Sequence, residues 1–507
     1  MADALANKTQ ATPIVGHLIG GARLVDAGDS APIFNPATGE ETRRVAFAEP
    51  ATVAQAVTAA AEALPAWRET TPLARARIMF RFKDLVERNA DAIAAVITEE
   101  HGKVLDDAHG EIKRGIENIE YACGAPELLK GEHSRNVGTG VDSWSERQPL
   151  GVVAGITPSN FPVMVPLWMY PIALACGNTF VLKPSERDPS AAVLVGELLS
   201  DAGLPNGVFN LVNGDKSVVD ALIADERVQA VSFVGSTGVA EAVYRGATTA
   251  GKRVQALGSA KNHAVVMPDA DLSNAVSALL GAAYGSCGER CMAISVVVTV
   301  GDETGDAVVA ALAERVRALN VGAGTEPGND LGPLITEPHR DRVVGLIDDG
   351  VAAGAELVVD GRSLAKGKAG YFVGPNLFDR VEPSMRIYRE EIFGPVLCVV
   401  RVDSLDEAIA LIDAHDYGNG TCIFTRDGAA ARAFSDAIQI GMVGVNVPLP
   451  VPVAYYSFGG WKRSLFGDLH IYGPDAVRFY TRQKVITQRW PSSGVVEKAK
   501  FAFPGSD

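Results

Sequence analysis

The stretch around Cys291 carries the clearest chemical signal in this chain of 507 residues. A glycine-punctuated turn, 284–290, precedes the cysteine, and the apolar run 294–300 that follows is typical of a strand. A thiol at the end of such an element can meet backbone N–H groups that stabilise a thiolate or an oxyanion, and the adjacent Arg290 favours the anion. The pattern predicts a cysteine nucleophile, although a buried structural cysteine fits the same letters. Cys287 and Cys291 without a second Cys/His pair form a poor zinc set, so no metal site is expected.

A second candidate group follows the apolar run 152–156. The segment 157–162, Thr-Pro-Ser-Asn-Phe-Pro, begins where a strand would end, which is where α/β proteins place their sites. The side-chain amide of Asn160 can donate to a developing alkoxide. The same sequence also fits a structural asparagine that forms hydrogen bonds within a proline-rich turn, so both interpretations stay open at this point.

Three further groups are of the types that hold a nucleotide. Lys183 and Glu186 follow another apolar run at a spacing that can grip the two hydroxyls of an adenosine ribose, although a surface ion pair has the same spacing. Gly235 and Ser236 lie where a strand turns into a helix, and glycine lets a phosphate approach the backbone there. The full Gly-x-Gly-x-x-Gly pattern is missing from this turn. The run 390–395 places a carboxylate beside an aromatic ring.

Alternating strands and helices must position these groups. Parallel strands need helical crossovers, so the alternation after residue 150 predicts a doubly wound α/β sheet. A second α/β series begins near residue 264 and runs to about residue 470. The predicted fold class is therefore α/β, with two doubly wound lobes and a cleft between them. The predicted strands are 152–156, 179–182, 208–212, 228–233, 293–300, 420–425 and 442–446, and the predicted helices between the first four are 162–176, 189–202 and 217–224.

The remaining regions predict an irregular, strand-containing entry over about the first 50 residues and two helices after it. The better of these helices has Thr71 as its N-cap and Pro72 at its first helical position. The segment 131–147 and the tail after about residue 475 fit neither lobe. Strands that project from the body would explain both.

Charge and cysteine usage exclude several classes of protein. The chain has 46 basic and 61 acidic residues, and its formal charge of −15 predicts a surface that repels nucleic acid and anionic membranes. Six cysteines in this length indicate reduced thiols and no disulfide framework. Residues 1–4 lack the features of a signal peptide, and the apolar window 161–175 is too short and too rich in proline to span a bilayer. We expect a cytoplasmic protein with no nucleic-acid or membrane partner.

These segments together, in this order, resemble the aldehyde dehydrogenase superfamily over nearly the whole chain. The resemblance implies that Cys291 is the nucleophile and that Asn160 and the Cys291 backbone N–H form the oxyanion hole. It also implies NAD as the cofactor, with Lys183 and Glu186 on the adenosine ribose and Glu391 on the nicotinamide ribose. The complete set of implied NAD-binding residues is Thr157, Ser159, Lys183, Glu186, Arg187, Gly235, Ser236, Glu391 and Phe393.

The resemblance also implies a division of the chain and an assembly. The assembly is a homotetramer built from dimers, in which a small β arm mediates oligomerisation. The implied parts are a Rossmann-like NAD-binding lobe of residues 1–130 and 148–256, a catalytic lobe of residues 257–474, and an oligomerisation arm of residues 131–147 and 475–507.

The chain departs from the family pattern at the general base. Most hydrolytic members carry a Glu-Leu-Gly-Gly-Lys run upstream of the nucleophile, and its glutamate activates water. An ungapped match puts Leu257 at that position and a one-residue shift puts Ala256 there, and neither side chain takes a proton. A thioester on Cys291 would lose its usual route to hydrolysis. Coenzyme A is a stronger nucleophile that needs less help of that kind.

Three runs, 260–263, 288–293 and 448–453, resemble the CoA-acylating methylmalonate-semialdehyde and malonate-semialdehyde branch of the superfamily. That branch oxidises 3-oxo acids to propionyl-CoA or acetyl-CoA with NAD and loses the substrate carboxylate. Arg114 and Arg290 match positions that hold this carboxylate, and a guanidinium can pair with it in bidentate fashion. Arg114 lies on a helix predicted over 106–122, and a solvated face of that helix is the alternative for this residue. For the reaction, the alternative is a hydrolytic aldehyde dehydrogenase that gives the free acid.

Overall fold

The computed structural model of the chain describes residues 12–365 and 369–490. The N-terminal residues 1–4, on which the absence of a signal peptide was argued, lie outside the described residues, as does the part 491–507 of the predicted arm. Among the residues that the structure describes, no helix combines the length and the apolarity needed to cross a bilayer.

The described residues form strands of two to nine residues. The strands are β1 Ile14–Val15, β2 His17–Ile19, β3 Ala22–Leu24, β4 Ser30–Asn35, β5 Glu40–Ala46, β6 His133–Gly138, β7 Val141–Pro149, β8 Val152–Ile156, β9 Thr179–Lys183, β10 Phe209–Leu211, β11 Val228–Val234, β12 Arg253–Leu257, β13 Asn262–Val266, β14 Ile294–Val300, β15 Glu356–Val359, β16 Asn376–Asp379, β17 Val396–Val402, β18 Tyr417–Gly418, β19 Gly420–Phe424, β20 Met442–Val445, β21 Trp461–Lys462, β22 Leu465–Phe466 and β23 Thr481–Arg489.

Helices connect most of the longer strands. The α-helices of the described residues are α1 Pro50–Glu69, α2 Pro72–Arg88, α3 Ala90–His101, α4 Leu105–Cys123, α5 Ala125–Leu128, α6 Met164–Ala175, α7 Ser190–Asp201, α8 Lys216–Ala224, α9 Thr237–Thr249, α10 Leu272–Tyr284, α11 Asp302–Arg317, α12 Glu337–Ala352, α13 Arg386–Arg389, α14 Leu405–Asp413, α15 Gly428–Ala437 and α16 Gly473–Tyr480. Two 3₁₀ turns, Gly285–Gly288 and Arg362–Ala365, complete the set.

The first lobe is built on an eight-stranded sheet in the order β22-β12-β11-β8-β9-β10-β2-β3. Its five central strands, from β12 to β10, run parallel, and the outer strands are antiparallel. Strands β8 and β9 are buried throughout, as expected for parallel strands covered on both faces. Residues of α1, α8 and α9 form the core on one face, and residues of α2 to α7 form the core on the other.

The second lobe is built on a seven-stranded sheet in the order β15-β16-β17-β14-β13-β19-β20. Only β15 is antiparallel to its neighbour, and the other six strands are parallel. Its apolar core is separate from the two cores of the first lobe. The predicted α/β class with two doubly wound lobes is therefore confirmed.

The predicted projecting strands form a third, antiparallel sheet, in which β7 lies between β6 and β23. The tail differs from the prediction at its start, because Gly473–Tyr480 is a helix and the strand begins at Thr481. Phe479 and Tyr480 at the end of that helix are fully buried in the core of the first lobe, which explains why it stays with the body.

The helices before residue 130 also differ from the prediction, because the structure has five where the sequence pattern suggested two after the entry and a third over 106–122. The Thr71 cap is confirmed: its Oγ1 accepts a hydrogen bond from the Ala74 N–H at 3.3 Å, and Pro72 is the first helical residue. The extra helices are α3 and α5, whereas α4, which reaches the candidate site, confirms the helix predicted over 106–122.

Candidate active site

The turn that precedes Cys291 is left-handed. Ser286, Cys287 and Gly288 have φ angles of 51°, 53° and 75°, a region that costs a non-glycine residue about 1–3 kcal/mol. Gly288 must be glycine here, because a Cβ would lie 2.2 Å from the Gly394 carbonyl oxygen. Three consecutive left-handed residues aim the chain from the end of α10 back towards β14, and Cys291 lies on the short loop between them.

Asp107 of α4 holds this turn at both ends. One carboxylate oxygen accepts a hydrogen bond from the Ser286 N–H at 2.7 Å, and the other pairs with the Arg290 guanidinium. The strained conformation is therefore fixed by an external partner, as such conformations require. The sequence did not single out Asp107, because its partners are almost 180 residues away along the chain.

Arg290 favours the Cys291 anion as expected, but burial outweighs it. Burial raises the pKa of Cys291 to about 12, and the nearby Glu391 carboxylate adds to the rise. The backbone N–H groups of Cys291 and Met292 and the charge of Arg290 lower the pKa, but they do not offset burial. Because Arg290 is paired with Asp107, its charge is partly neutralised. In this arrangement Cys291 is a thiol at neutral pH.

Two asparagines fix the backbone of Cys291. The Cys291 carbonyl accepts hydrogen bonds from the side-chain amides of Asn262, at 2.9 Å, and Asn419, at 3.1 Å. The Asn262 side-chain oxygen accepts from the Gly420 N–H at 3.0 Å, which ties Cys291 to the first residues of the adjacent strands β13 and β19. Asn262 belongs to the run 260–263, one of the three that carry the resemblance, whereas Asn419 stands in no such motif.

Cys291 lies where two cavities meet. The smaller one, of about 230 Å³, runs along α4 and is lined by both predicted substrate arginines, Arg114 and Arg290. Its apolar wall suits a short carbon chain, and its two guanidinium groups suit a carboxylate. The apolar lining residues are Phe161, Met164, Trp168, Met292, Leu449, Val451 and Phe458.

Arg114 is not on a solvated helix face. Its guanidinium donates to the Glu117 carboxylate at 2.7 Å and to the carbonyl oxygens of Val451 and Pro452 at 3.3 and 2.8 Å. These three bonds use three of the five guanidinium N–H groups. The run 448–453, another of the three that carry the resemblance, is thus the loop that holds Arg114 over the cavity.

The larger cavity, of about 660 Å³, has Cys291, Asn160 and Glu391 in its wall. The Asn160 amide donates to the Glu289 carbonyl oxygen at 3.0 Å, which leaves its second N–H for the cavity. Burial raises the pKa of Glu391, although the Ala260 N–H donates to its carboxylate at 2.9 Å and opposes the rise. The predicted nucleophile, oxyanion donor and carboxylate are therefore brought together in one space.

Helix α12 holds the loop that carries Glu391 and Phe393. Arg342 donates to the carbonyl oxygens of Glu391 and Ile392 at 2.7 and 2.9 Å, and the His339 ring lies 2.7 Å from the Phe393 carbonyl oxygen. Phe393 is itself left-handed, with φ 58°, and lines the 660 Å³ cavity. Arg342 and His339 were not predicted, because their contacts are with backbone atoms of a distant loop.

A third cavity, of about 790 Å³, adjoins the second along Ser159, Gly235 and Ser236. Lys183 and Glu186 line it as an ion pair with 2.7 Å between Nζ and Oε2. Burial works against the Glu186 charge, but Lys183 lowers the pKa of Glu186 on balance. Thr157 and Arg187 complete the predicted set in this wall.

The third cavity fits a dinucleotide. Ser236 is the N-cap of α9, yet its side chain makes no capping bond, so the hydroxyl and the helix N-terminus can face a phosphate. The Thr157 hydroxyl is buried without a hydrogen-bond partner among the described residues. The ion pair of Lys183 and Glu186 presents a donor and an acceptor at the far wall, which suits a ribose diol.

The candidate base positions are both apolar and buried. Ala256 and Leu257 belong to β12 and have relative exposures of 0% and 3%. The next residues, Gly258 and Ser259, line the cavity of Cys291, so the missing glutamate is a feature of the site itself. The carboxylates that do line this cavity are Glu390, Glu391 and Asp416.

Comparison with known proteins places the chain in a family. The family model described as "Aldehyde dehydrogenase family" matches residues 25–486. The chain is 65% identical over 490 residues to a malonate-semialdehyde dehydrogenase of Pseudomonas aeruginosa, covering 96% of this chain and 99% of that protein. It is 50% identical over 460 residues to malonate-semialdehyde dehydrogenase 2 of Bacillus cereus, covering 90% of this chain and 94% of that protein.

Solved structures agree in fold. The crystal structure of methylmalonate-semialdehyde dehydrogenase from Oceanimonas doudoroffii has a TM-score of 0.94 at 64% identity and covers 95% of this chain and 99% of its own. A proposed methylmalonate-semialdehyde dehydrogenase from Sinorhizobium meliloti, complexed with NAD, has a TM-score of 0.94 at 51% identity and covers 96% of this chain and 99% of its own. The chain belongs to the aldehyde dehydrogenase family.

Proposed function

We propose that this protein is an NAD-dependent, CoA-acylating dehydrogenase of methylmalonate semialdehyde or malonate semialdehyde. The products are propionyl-CoA or acetyl-CoA, and the substrate carboxylate is lost as carbon dioxide or bicarbonate. The observation that carries this proposal is the position of Cys291 at the end of a cavity lined by two arginines and beside a cavity without the usual glutamate. The names of the relatives in Pseudomonas aeruginosa and Oceanimonas doudoroffii support the same substrate class.

Substrate recognition follows from the smaller cavity. A 3-oxo acid places its carboxylate against the guanidinium groups of Arg114 and Arg290, and its aldehyde carbon then points at Cys291. Arg114 is pre-oriented by its bonds to the loop at Val451 and Pro452, so little side-chain freedom is lost on binding. An aldehyde without a carboxylate gains none of this orientation.

Oxidation uses the two loops that meet at the larger cavity. The Cys291 thiol loses its proton to solvent and its sulfur attacks the aldehyde carbon. The thiohemiacetal oxygen accepts hydrogen bonds from the second N–H of Asn160 and from the Cys291 backbone N–H. NAD, held by the Lys183–Glu186 pair and by Glu391, supplies the hydride acceptor when bound. The cysteine is left as a thioester.

The second half-reaction follows from the missing base. The thiolate of coenzyme A attacks the thioester carbonyl, the bond to the Cys291 sulfur breaks, and the Cys291 thiolate is regenerated. Water is a poorer nucleophile and would need a carboxylate at the position of Ala256 or Leu257. Acyl transfer to coenzyme A therefore competes well with hydrolysis.

Product analysis tests this proposal. NADH formation and acyl products are measured with malonate semialdehyde and with its methyl-substituted relative, in the presence and absence of coenzyme A. We expect sustained turnover and acyl-CoA only when coenzyme A is present. Equally fast turnover without coenzyme A, with accumulation of the free acid, would establish the hydrolytic alternative and refute acyl transfer.

We also propose an assembly and a division of the chain. The antiparallel sheet of β6, β7 and β23 serves as the oligomerisation arm of a cytoplasmic homotetramer. The rest of the chain divides into an NAD-binding lobe of 1–130 and 148–256 and a catalytic lobe of 257–474. Val485 and Trp490 on this arm are 65% and 80% exposed, which is unusual for large apolar side chains. Light scattering after gel filtration should give four times the chain mass, and deletion of the arm should reduce it.

A further inference from the structure

We propose that Lys103 and Glu111 are positioning residues that hold the Asn160 amide in place for the oxyanion. The inference rests on the role proposed above for Asn160. Glu111 also lines the 230 Å³ cavity, but neither residue has a role in the chemistry described above, and neither was marked by the sequence. Together they tie the loop between β8 and α6 to helix α4.

Lys103 fixes the middle of this loop. Its Nζ donates to the Asn160 carbonyl oxygen at 2.6 Å and to the Glu111 carboxylate at 2.8 Å. The ammonium also lies 4.4 Å from the centre of the Phe161 ring, a cation–π contact with the next residue of the loop. A single buried cation therefore contacts two consecutive residues of the oxyanion loop.

Glu111 fixes the end of the same loop. Its second carboxylate oxygen accepts hydrogen bonds from the backbone N–H groups of Val163 and Met164 at 2.8 and 3.0 Å. These N–H groups open α6, where a helix has no acceptors of its own, so a carboxylate there is doubly favourable. One ion pair thus holds the loop at its middle and at its junction with α6.

The cost of this arrangement argues for a geometric role. The side chains of Lys103 and Glu111 are both 0% exposed, and a buried ion pair is often no more stabilising than apolar residues of the same volume. Helix α4 already packs closely on α6, because Gly115 allows contact with Leu167. What the pair adds is a fixed position for the Asn160 backbone.

The side chain of Asn160 is fixed separately. One N–H donates to the Glu289 carbonyl oxygen, in the loop of the nucleophile, so the amide cannot rotate freely. The backbone of Asn160 is held by Lys103 and its side chain by the nucleophile loop. Removing the Lys103 contact should let the amide shift relative to the Cys291 sulfur, and small misplacements of this kind cost large factors in rate.

The test uses the double variant Lys103→Met/Glu111→Gln. It removes both buried charges, while the side-chain oxygen of the new glutamine would still accept from α6. The first readout is the rate of the initial NADH burst, which reports thiohemiacetal formation and oxidation. The second is the rate of Cys291 alkylation by iodoacetamide, which needs the thiol but no oxyanion. We expect a burst slower by about 10- to 100-fold, to the same extent with malonate semialdehyde and propanal, and unchanged alkylation.

Matched variants sharpen the result. Lys113→Met makes the same chemical change on the exposed face of α4 and should leave both rates unchanged. Asn160→Ala should slow the burst, and combining it with the double variant should slow the burst no further than Asn160→Ala does alone. Lys103→Arg keeps the charge but moves the donors, so a folded Lys103→Arg protein should also show a slowed burst.

The failures are distinguishable. An unchanged burst in the folded double variant, or in Lys103→Arg should the double variant not fold, overturns the positioning role. A parallel fall in burst and alkylation also overturns it, because it reports a general disturbance of the Cys291 loop. An unchanged burst in Asn160→Ala instead overturns the role of Asn160 in the proposed function.

Discussion

Arg114→Leu separates substrate binding from loop structure. Arg114 uses two N–H groups to hold the carbonyl oxygens of Val451 and Pro452 and a third for Glu117, so two N–H groups are left for a substrate carboxylate among the described contacts. Its side chain is 31% exposed, so the charge is only partly desolvated. A charge-assisted pair in such a setting is worth about 2–3 kcal/mol.

At 1.36 kcal/mol for each factor of ten, that loss lowers kcat/KM by about 30- to 150-fold. The assay is initial NADH formation in the presence of coenzyme A, with malonate semialdehyde and with propanal. We expect the full loss with the semialdehyde, mainly in KM, and a small loss with propanal, which has no carboxylate to pair.

The matched control is Tyr472→Phe. The Tyr472 hydroxyl donates to the same Pro452 carbonyl oxygen at 2.8 Å, so this variant loosens the same loop without removing a charge. It should affect the two aldehydes equally. Equal losses with both aldehydes in Arg114→Leu would refute the reasoning and make Arg114 a structural residue.

Three further predictions concern Cys291, Asp107 and Lys103. Because burial and the Glu391 charge raise the pKa of Cys291 to about 12, alkylation of the free protein should rise steadily from about pH 7 to about pH 10, and Glu391→Gln should shift the profile to lower pH; an early plateau contradicts this. Asp107→Ala releases the left-handed turn and should lower kcat/KM by about 10- to 100-fold for both aldehydes, whereas an unchanged value would show that the turn holds itself. Lys103→Met leaves Glu111 buried and unpaired and should lower the free energy of unfolding by about 3–5 kcal/mol in denaturant titrations, a loss that adding Glu111→Gln should largely reverse.

Local patterns predicted the lobes well because their signals are short-range. Apolar runs such as those of β8 and β9 are continuous, since helices cover both faces of the sheet, and the Thr71–Pro72 cap lies within one turn of its own helix. The prediction was wrong where burial overrides local pattern. The tail after about residue 475 was predicted as a projecting strand, yet Gly473–Tyr480 is a helix whose apolar side chains pack into the core of the first lobe.

Only part of the candidate site could be predicted from local sequence patterns. Cys291 and Asn160 stand in runs whose letters are informative, and the structure places them in the wall of one cavity. Arg290 stands in such a run too, but its pairing with Asp107 could not be read from it. A hydrogen bond between residues far apart leaves no periodicity in the chain.

The amino-acid order by itself determined which side chains are available for chemistry and where strands and helices alternate, because both depend on neighbouring residues. Only the tertiary structure decided the protonation of Cys291, because burial and the approach of Glu391 act through space. It also decided that α4 is the scaffold of the site: Asp107, Glu111 and Arg114, spaced by four and three residues, share one face of that helix, and each contacts a different distant loop. The helical repeat places the three side chains on one face of α4, and the packing of α4 brings that face against the three loops.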